Sequence, residues 1–292
     1  MIGYMNKKLV FKKMHGIGND FVLIDSQENP DLFTNKHFNL KPSELAKIAN
    51  RNHGIGCDQI LVVTPASNKF ANFDYLIYNQ DGSSAGYCGN GARCVVKYLA
   101  DRYHINTPIT LNTHGRLSKG ALTTKGQITI NAGQPNFDPK ASGCDKERNK
   151  YNDYTYLVGN QIVNFGIVSI GNPHAIISLT NLKQLNATST LIKIAEAIQA
   201  SGLFAHGVNV SFFVVITPEK IQMRTYERGV GFTLACGSGA CATASFAIAS
   251  KLCNQKVHVS MPGGSLQIHW DMVSEIEMTG DAAYVFDGNM LL

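Results

Sequence analysis

No stretch of this sequence approaches the roughly 20 apolar residues of a membrane span, and its first residues lack the apolar core of a signal peptide. A cytoplasmic protein with no membrane partner is the expectation. Tight Cys-x-x-Cys knuckles are missing too. The nearest pairs, Cys88 with Cys94 and Cys236 with Cys241, are poorly spaced for a structural zinc. The seven cysteines are an odd number, which argues against a disulfide framework and for reduced thiols. Charged residues are sparse, at 16%, and the net +5 is spread thinly. Its densest cluster, Lys7, Lys8, Lys12 and Lys13, does not extend into a basic stripe laced with aromatics, so nucleic acid is not expected as a partner.

What is present is an ordinary globular composition, 44% hydrophobic over 292 residues. At roughly 150 residues per domain that length suggests two domains. The residues ahead of Met5 read as upstream sequence, because Met5 leads directly into the strand-like run Leu9-Val10-Phe11. Three short segments recur in the same order in the two halves. Gly18-Asn19-Asp20-Phe21 matches Gly171-Asn172-Pro173-His174, and His53-Gly54-Ile55 matches His206-Gly207-Val208, each 153 residues downstream. Cys88-Gly89-Asn90-Gly91-Ala92 matches Cys236-Gly237-Ser238-Gly239-Ala240 at an offset of 148. One such match would be an ordinary recurrence of glycine turns; order and spacing together indicate an internal duplication. The polar stretch Asn136 to Asn152 reads as a linker or loop near the repeat boundary. The expected domains are 1–132 and 133–279, with 280–292 as a segment that returns to the first.

Strand-like runs dominate: Phe21 to Asp25, Gln59 to Val63, Phe73 to Tyr78, Gln127 to Asn131, Ile162 to Ile170, Ala175 to Leu179, Val208 to Ile216 and Val257 to Met261. Amphipathic helices are expected over Ser43 to Arg51 and Thr190 to Gln199. Two more follow the repeated cysteines, Gly91 to Tyr103 and Gly239 to Leu252. The last has so little polar surface that it should be buried all round.

Cys88 and Cys236 each fall between a strand-like run and a helix, where unpaired N–H groups and the positive end of the helix dipole collect. Such a position lowers a thiol's pKa, and the flanking glycines leave room for a carboxylate on the amides. Two such turns facing each other across an interdomain cleft would offer one sulfur to each face of a bound carbon, as stereoinversion requires. From the residues alone the glycines equally suit a phosphate cradle. Cys94, Cys241 and Cys253, inside apolar helical patterns, read as small core residues.

Asn79-Gln80-Asp81-Gly82-Ser83 followed by Cys88-Gly89-Asn90-Gly91-Ala92-Arg93 resembles the diaminopimelate epimerase family. The similarity extends to Met14 to Phe21, His53 to Gln59, Gly171 to His174, Glu227-Arg228-Gly229 and Ala235 to Cys241, nearly the whole chain. The resemblance implies an α+β fold: two pseudo-symmetric domains, each a curved, mostly antiparallel sheet or barrel around a central helix. It also implies interconversion of LL- and meso-2,6-diaminopimelate for lysine and cell-wall synthesis, with no cofactor, pyridoxal phosphate or metal. Cys88 and Cys236 match the catalytic pair. Asn19, Gln59, Asn79, Gly89, Asn90, Asn172, Asn209, Glu227, Arg228, Gly237 and Ser238 match substrate-contacting positions. His174 and Glu227 match positions that tune the cysteines, each as a charge partner. Asparagine offers a donor and an acceptor without charge, and Arg228 suits a carboxylate. The alternative for the asparagines is turn chemistry, and for His174 and Glu227 a structural hydrogen bond. His15, His53 and His206, beside glycine turns, read as scaffolding.

Phe232 departs from the pattern, standing where similar proteins carry a glutamate, which puts one local hydrogen bond in doubt. The rival enzyme is a cysteine-pair racemase acting on another amino acid, against which the distal-end residues Asn79, Asn209 and Arg228 argue. The rival from another class, a relative of the fold without the cysteines, is opposed by both Cys-Gly-x-Gly turns. The expected partners are the small-molecule substrate and, as an open option, a second copy in a homodimer.

Overall fold

Phe21-Val22-Leu23-Ile24 and Ile60-Leu61-Val62-Val63 are apolar at every position, which suits strands covered on both faces. Both are such strands in the computed structural model, which describes residues 8–34, 37–147, 149 and 152–292. Lys7 and the stretch ahead of Met5 lie outside the described residues.

The main elements of the first half are β1 (Lys8–Gly16), β2 (Asn19–Asp25), α1 (Pro42–Ala49), β3 (Gln59–Pro65), β4 (Phe73–Asn79), β5 (Ser84–Ala85), α2 (Gly89–Tyr103), β6 (Ile109–Thr113), β7 (Arg116–Leu122) and β8 (Ile128–Asn131). Those that follow are β9 (Tyr154–Val158), β10 (Gln161–Ser169), β11 (Pro173–Ser178), α3 (Thr188–Gln199), β12 (Asn209–Thr217), β13 (Lys220–Glu227), β14 (Gly231–Phe232), α4 (Gly237–Ala249), β15 (Lys256–Met261), β16 (Gly264–His269), β17 (Glu277–Gly280) and β18 (Ala283–Leu291). The chain forms two compact units. One takes the described residues up to Ile130 with Gly280–Leu292, the other Asn131–Thr279.

In the first unit the strands run β18-β1-β2-β3-β4-β6-β7-β8, with β5 also beside β4. Only β2 with β3 and β4 with β6 are parallel. In the second unit the order is β9-β10-β11-β12-β13-β15-β16-β17, with β14 beside β13, and again two pairs are parallel, β11 with β12 and β13 with β15. The two units repeat one topology strand for strand, as a duplication requires.

Each parallel pair needs a crossover, and α1 and α2 supply them in the first unit. Both crossovers step the same way along the sheet, but β3 and β4 are antiparallel. A common right hand therefore sends the two helices to opposite faces. Phe21, Leu23, Leu61 and Val63 pack toward α2 with Val95, Val96 and Leu99. Val22, Ile24, Ile60 and Val62 pack toward α1 with Leu45 and Ile48. The sheet curves around α2, which meets β1, β2 and β3 on one side and β7 on the other. In the second unit α3 covers one face through Leu191, Ile194 and Ile198. The helix α4 is buried nearly throughout, as its sequence requires.

The eight strand-like runs and four helices all form. Both central helices start two residues earlier than periodicity indicates, because the cysteine itself is the N-cap. At their other ends, α1 stops at Ala49 rather than Arg51, and α4 at Ala249 rather than Leu252. The stretch Asn136 to Asn152 is more than a linker. Asn136 bridges Ser169, Asp138 caps a 3-10 turn at Pro139–Ser142, and Cys144 bridges Phe204.

Leu99, fully buried against the curved sheet, is expected to cost about 3 kcal/mol of unfolding free energy on substitution to Ala. Leu157→Ala, at a position 62% exposed, should change it by less than about 0.5 kcal/mol. Urea denaturation of the two variants measures both.

Candidate active site

Asn19 opens β2, Gln59 opens β3 and Asn79 closes β4, so strand direction alone brings three amides to one end of three adjacent strands. Asn19 reaches that edge through a two-residue hairpin, with Ile17 and Gly18 both at positive φ. Gln59 Nε2 donates to Asn79 Oδ1 at 3.1 Å, and Asn79 Nδ2 to Ser83 Oγ at 3.1 Å.

Beside them starts α2. Cys88 is its N-cap in an extended conformation, and the Gly91 amide donates to Sγ at 3.4 Å. The thiol in turn donates to Asn19 Oδ1 at 3.7 Å, and Asn90 Nδ2 donates to the same oxygen at 3.2 Å. Gly91 has to be small: a Cβ there would lie 2.9 Å from Leu61 Cδ2.

The second unit repeats the arrangement with different side chains. Asn172 and His174 stand at the start of β11, Asn209 opens β12 opposite His174, Glu227 closes β13, and Cys236 is the N-cap of α4. Cys236 Sγ lies 3.7 Å from Ser238 Oγ. Asn172 Nδ2 donates to Ser238 Oγ at 3.2 Å, and His174 Nε2 sits 3.2 Å from Asn172 Oδ1 and 3.1 Å from Ser238 Oγ. Since Asn172 Oδ1 only accepts, the ring carries its proton on Nε2. A Cβ on Gly239 would lie 2.8 Å from Thr225 Oγ1 and 3.2 Å from Cys236 Sγ.

Asn209 Oδ1 accepts the Arg228 backbone N–H at 2.9 Å, and the Arg228 guanidinium donates to the His206 carbonyl. The side chain lies over Gly207, where a Cβ would come within 2.5 Å of Arg228 Cδ. All the residues expected at the site therefore fall into two clusters, one per unit. Among the described residues no three His, Cys, Asp or Glu side chains are placed to hold a metal ion.

Two electrostatic expectations need correction. A helix start was expected to lower both thiols, but burial pushes Cys236 well above the ordinary range and the adjacent Glu227 carboxylate adds to it. The Gly239 amide and Ser238 hydroxyl pull the other way and lose. Nor is His174 a charge partner. Complete burial lowers it to about 3, leaving a neutral ring whose Nδ1 has no hydrogen-bond partner among the described residues. The ring's other nitrogen contacts Asn172 and Ser238. Cys94, a core residue as expected, is pushed by burial to about 12.

The sequence pattern of the family described as diaminopimelate epimerase matches residues 11–137 and 166–285. Diaminopimelate epimerase of Coxiella burnetii is 40% identical over 291 residues, covering 97% of this chain and 99% of the relative. That of Alkalilimnicola ehrlichii is 38% identical over 289 residues, covering 98% and 99%. The chain belongs to the diaminopimelate epimerase family. It is an isomerase of that family. Among solved structures, a hydroxyproline epimerase from Agrobacterium vitis superposes with a TM-score of 0.67 at 14% identity, covering 99% of this chain and 94% of that one. A methylitaconate-delta-isomerase superposes with a TM-score of 0.65 at 12% identity, covering 97% and 95%. Both share the fold.

Sequence reasoning missed the residues that hold the site residues. Thr233 Oγ1 donates to Glu227 Oε1 at 2.5 Å, fixing the carboxylate that faces Cys236. Phe232, the departure from the family pattern, packs edge-on to Tyr226 with ring centroids 5.2 Å apart, and Arg224 lies 4.0 Å over its ring. Aromatic and cation–π packing hold the Phe232 side chain in place. Asp58 and Arg93 lay inside quoted motifs without an assigned role, and both touch the Cys88 cluster through Asn19 and Asn90.

Cys236 should resist iodoacetamide below pH 9 and react faster in Glu227→Gln, which removes the like charge and lowers the thiol; peptide-resolved alkylation rates against pH give the answer. His174 generates a stability term of its own. Its folded pKa of about 3 lies below the ordinary 6.5, so the term is present above about pH 6.5 and is lost as pH falls toward 3. His174→Gln should flatten the fall in denaturation midpoint between pH 6.5 and 4.

Proposed function

We propose that this chain interconverts LL- and meso-2,6-diaminopimelate by a two-base exchange between Cys88 and Cys236. The observation that carries the proposal is the same thiol-at-a-helix-start, at the same place in the same strand order, in each unit. One sulfur, as thiolate, takes the α-proton from one face, and the other, as thiol, gives a proton to the opposite face. The electron pair left on carbon is drawn toward the substrate carboxylate, for which the amides of Gly89-Asn90 and Gly237-Ser238 would be the donors. The burial and Glu227 that keep Cys236 protonated suit it to the donor role on first encounter.

Asn79, Asn209 and Arg228 would hold the distal amino-acid end, with Arg228 pre-set by Asn209 and the His206 carbonyl. A racemase for another amino acid is not favoured, because the relatives that match over nearly the whole chain are named for diaminopimelate. The domains in this reading are 1–132 and 133–279, with 280–292 on the first. A cytoplasmic location, no nucleic-acid partner and a homodimer go with it; no helix among the described residues is long and apolar enough to cross a membrane.

Reduced protein without added cofactor should carry solvent deuterium onto one α-carbon of LL-diaminopimelate, read by mass spectrometry. Absence of exchange would defeat the assignment of substrate. Cys88→Ala should lose at least about 100-fold in turnover, and an active variant would remove Cys88 from the mechanism.

A further inference from the structure

Behind Cys88 lies a chain of side-chain amides with a fixed direction. Arg93, fully buried, donates from Nη2 to Asn90 Oδ1 at 2.9 Å. Asn90 Nδ2 donates to Asn19 Oδ1 at 3.2 Å, and Asn19 Nδ2 donates to Asp58 Oδ2 at 2.9 Å. An arginine can only donate and an ionised carboxylate can only accept, so the two ends dictate which way each amide points. Turning Asn19 over would set its oxygen against the Asp58 carboxylate and its NH2 against that of Asn90.

Asp58 is itself clamped. Its Oδ1 accepts from Arg51 at 2.9 Å, its Oδ2 from the Asp20 backbone N–H at 3.2 Å, and its own N–H donates to Asp20 Oδ1 at 3.1 Å. Asp20 is in turn held by Arg51 and by Lys13, which also donates to the Gly56 carbonyl.

We infer that Asp58 is a positioning residue for the proposed reaction: by holding the NH2 end of Asn19 it keeps Oδ1 turned to Cys88, where it accepts the S–H and favours the thiol over the thiolate. This rests on the two-cysteine reading of the site. Hydrogen bonding to the neutral form raises a thiol, while the Gly91 amide favours the anion. The balance at Cys88 then depends on which end of Asn19 faces the sulfur. Other titratable or charged groups around it include Tyr75 on β4, Cys94 and Arg93 on α2, and Tyr87 with Arg116 stacked 3.8 Å over its ring. None of these contacts the NH2 end of Asn19 in the hydrogen bonds described above.

The test reads Cys88 without turnover, as the rate of iodoacetamide labelling of its peptide against pH. It is run in 0.5 M KCl, where the Debye length is about 4 Å. Asp58→Ala removes the acceptor and should lower the labelling midpoint by about half to one pH unit. Asp58→Asn loses the charge but keeps an oxygen for Asn19, and should restore the wild-type midpoint. Equal shifts in both variants would mean that the carboxylate acts through space, and no shift in Asp58→Ala would mean that Asn19 is held without it; either result overturns the inference. Should Asp58→Ala fail to fold, Asn19→Ala removes the oxygen that accepts the S–H without changing any charge. It should lower the midpoint likewise, and a wild-type midpoint there would overturn the inference. Labelling does not require catalysis, so failure of the two-cysteine reading, shown by an active Cys88→Ala, stays distinguishable.

Discussion

The backbone N–H groups at the start of α2 and α4 are the feature on which the rest of the site is built. A helix leaves its first amides without intrahelical partners, and here cysteine occupies the cap where a serine or aspartate would ordinarily stand. The glycines that follow keep side chains away from the sulfur and the neighbouring strands. A carboxylate can then rest against backbone donors beside a thiol, with no further cation required at that point. The sheet exists to hold that helix start still: each central helix is buried against curved strands, and the strand ends beside it deliver the asparagines.

Duplication supplied one frame twice, and the two copies have diverged in what lies behind the sulfur. In the first unit the neighbours are amides backed by an ionic cluster of Lys13, Asp20, Arg51 and Asp58. In the second they are a neutral buried histidine, a serine and a glutamate held by Thr233. The copies also differ at one sheet edge. β10 pairs with β9, which precedes it in the chain, whereas the corresponding β1 pairs with β18 from the far C-terminus. The first sheet thus takes its edge strand from Ala283–Leu291.

Much of the frame was legible because apolar runs such as Phe21 to Ile24 and the small-apolar face of Ala240 to Ala247 leave few alternatives. The repeated Cys-Gly-x-Gly located both helix starts, although periodicity alone set them two residues late. The pKa of Cys236 was not legible, since the helix dipole is a local feature whereas burial and the approach of Glu227 are tertiary. His174 shows the same limit: its position beside Asn172 is in the sequence, its desolvation is not. Asp58 and Arg93 escaped notice because a charged residue in a motif acquires a role only when the partner across the fold is known.

The asymmetry between the two thiols follows from what inversion demands. Under the two-base reading, exchange needs one sulfur as thiolate and the other as thiol, and unlike surroundings bias which of the two holds the proton. Burial and a like charge hold Cys236 as a thiol. Cys88 is half-buried, with an acceptor on one side and a backbone donor on the other. In the two-base reading each sulfur must be able to exchange its proton, because the donor in one direction is the base in the other. The duplicated frame places a thiol at one helix start in each unit. The divergent side chains behind it give the two sulfurs different surroundings, and under the two-base reading that difference biases which of them holds the proton first.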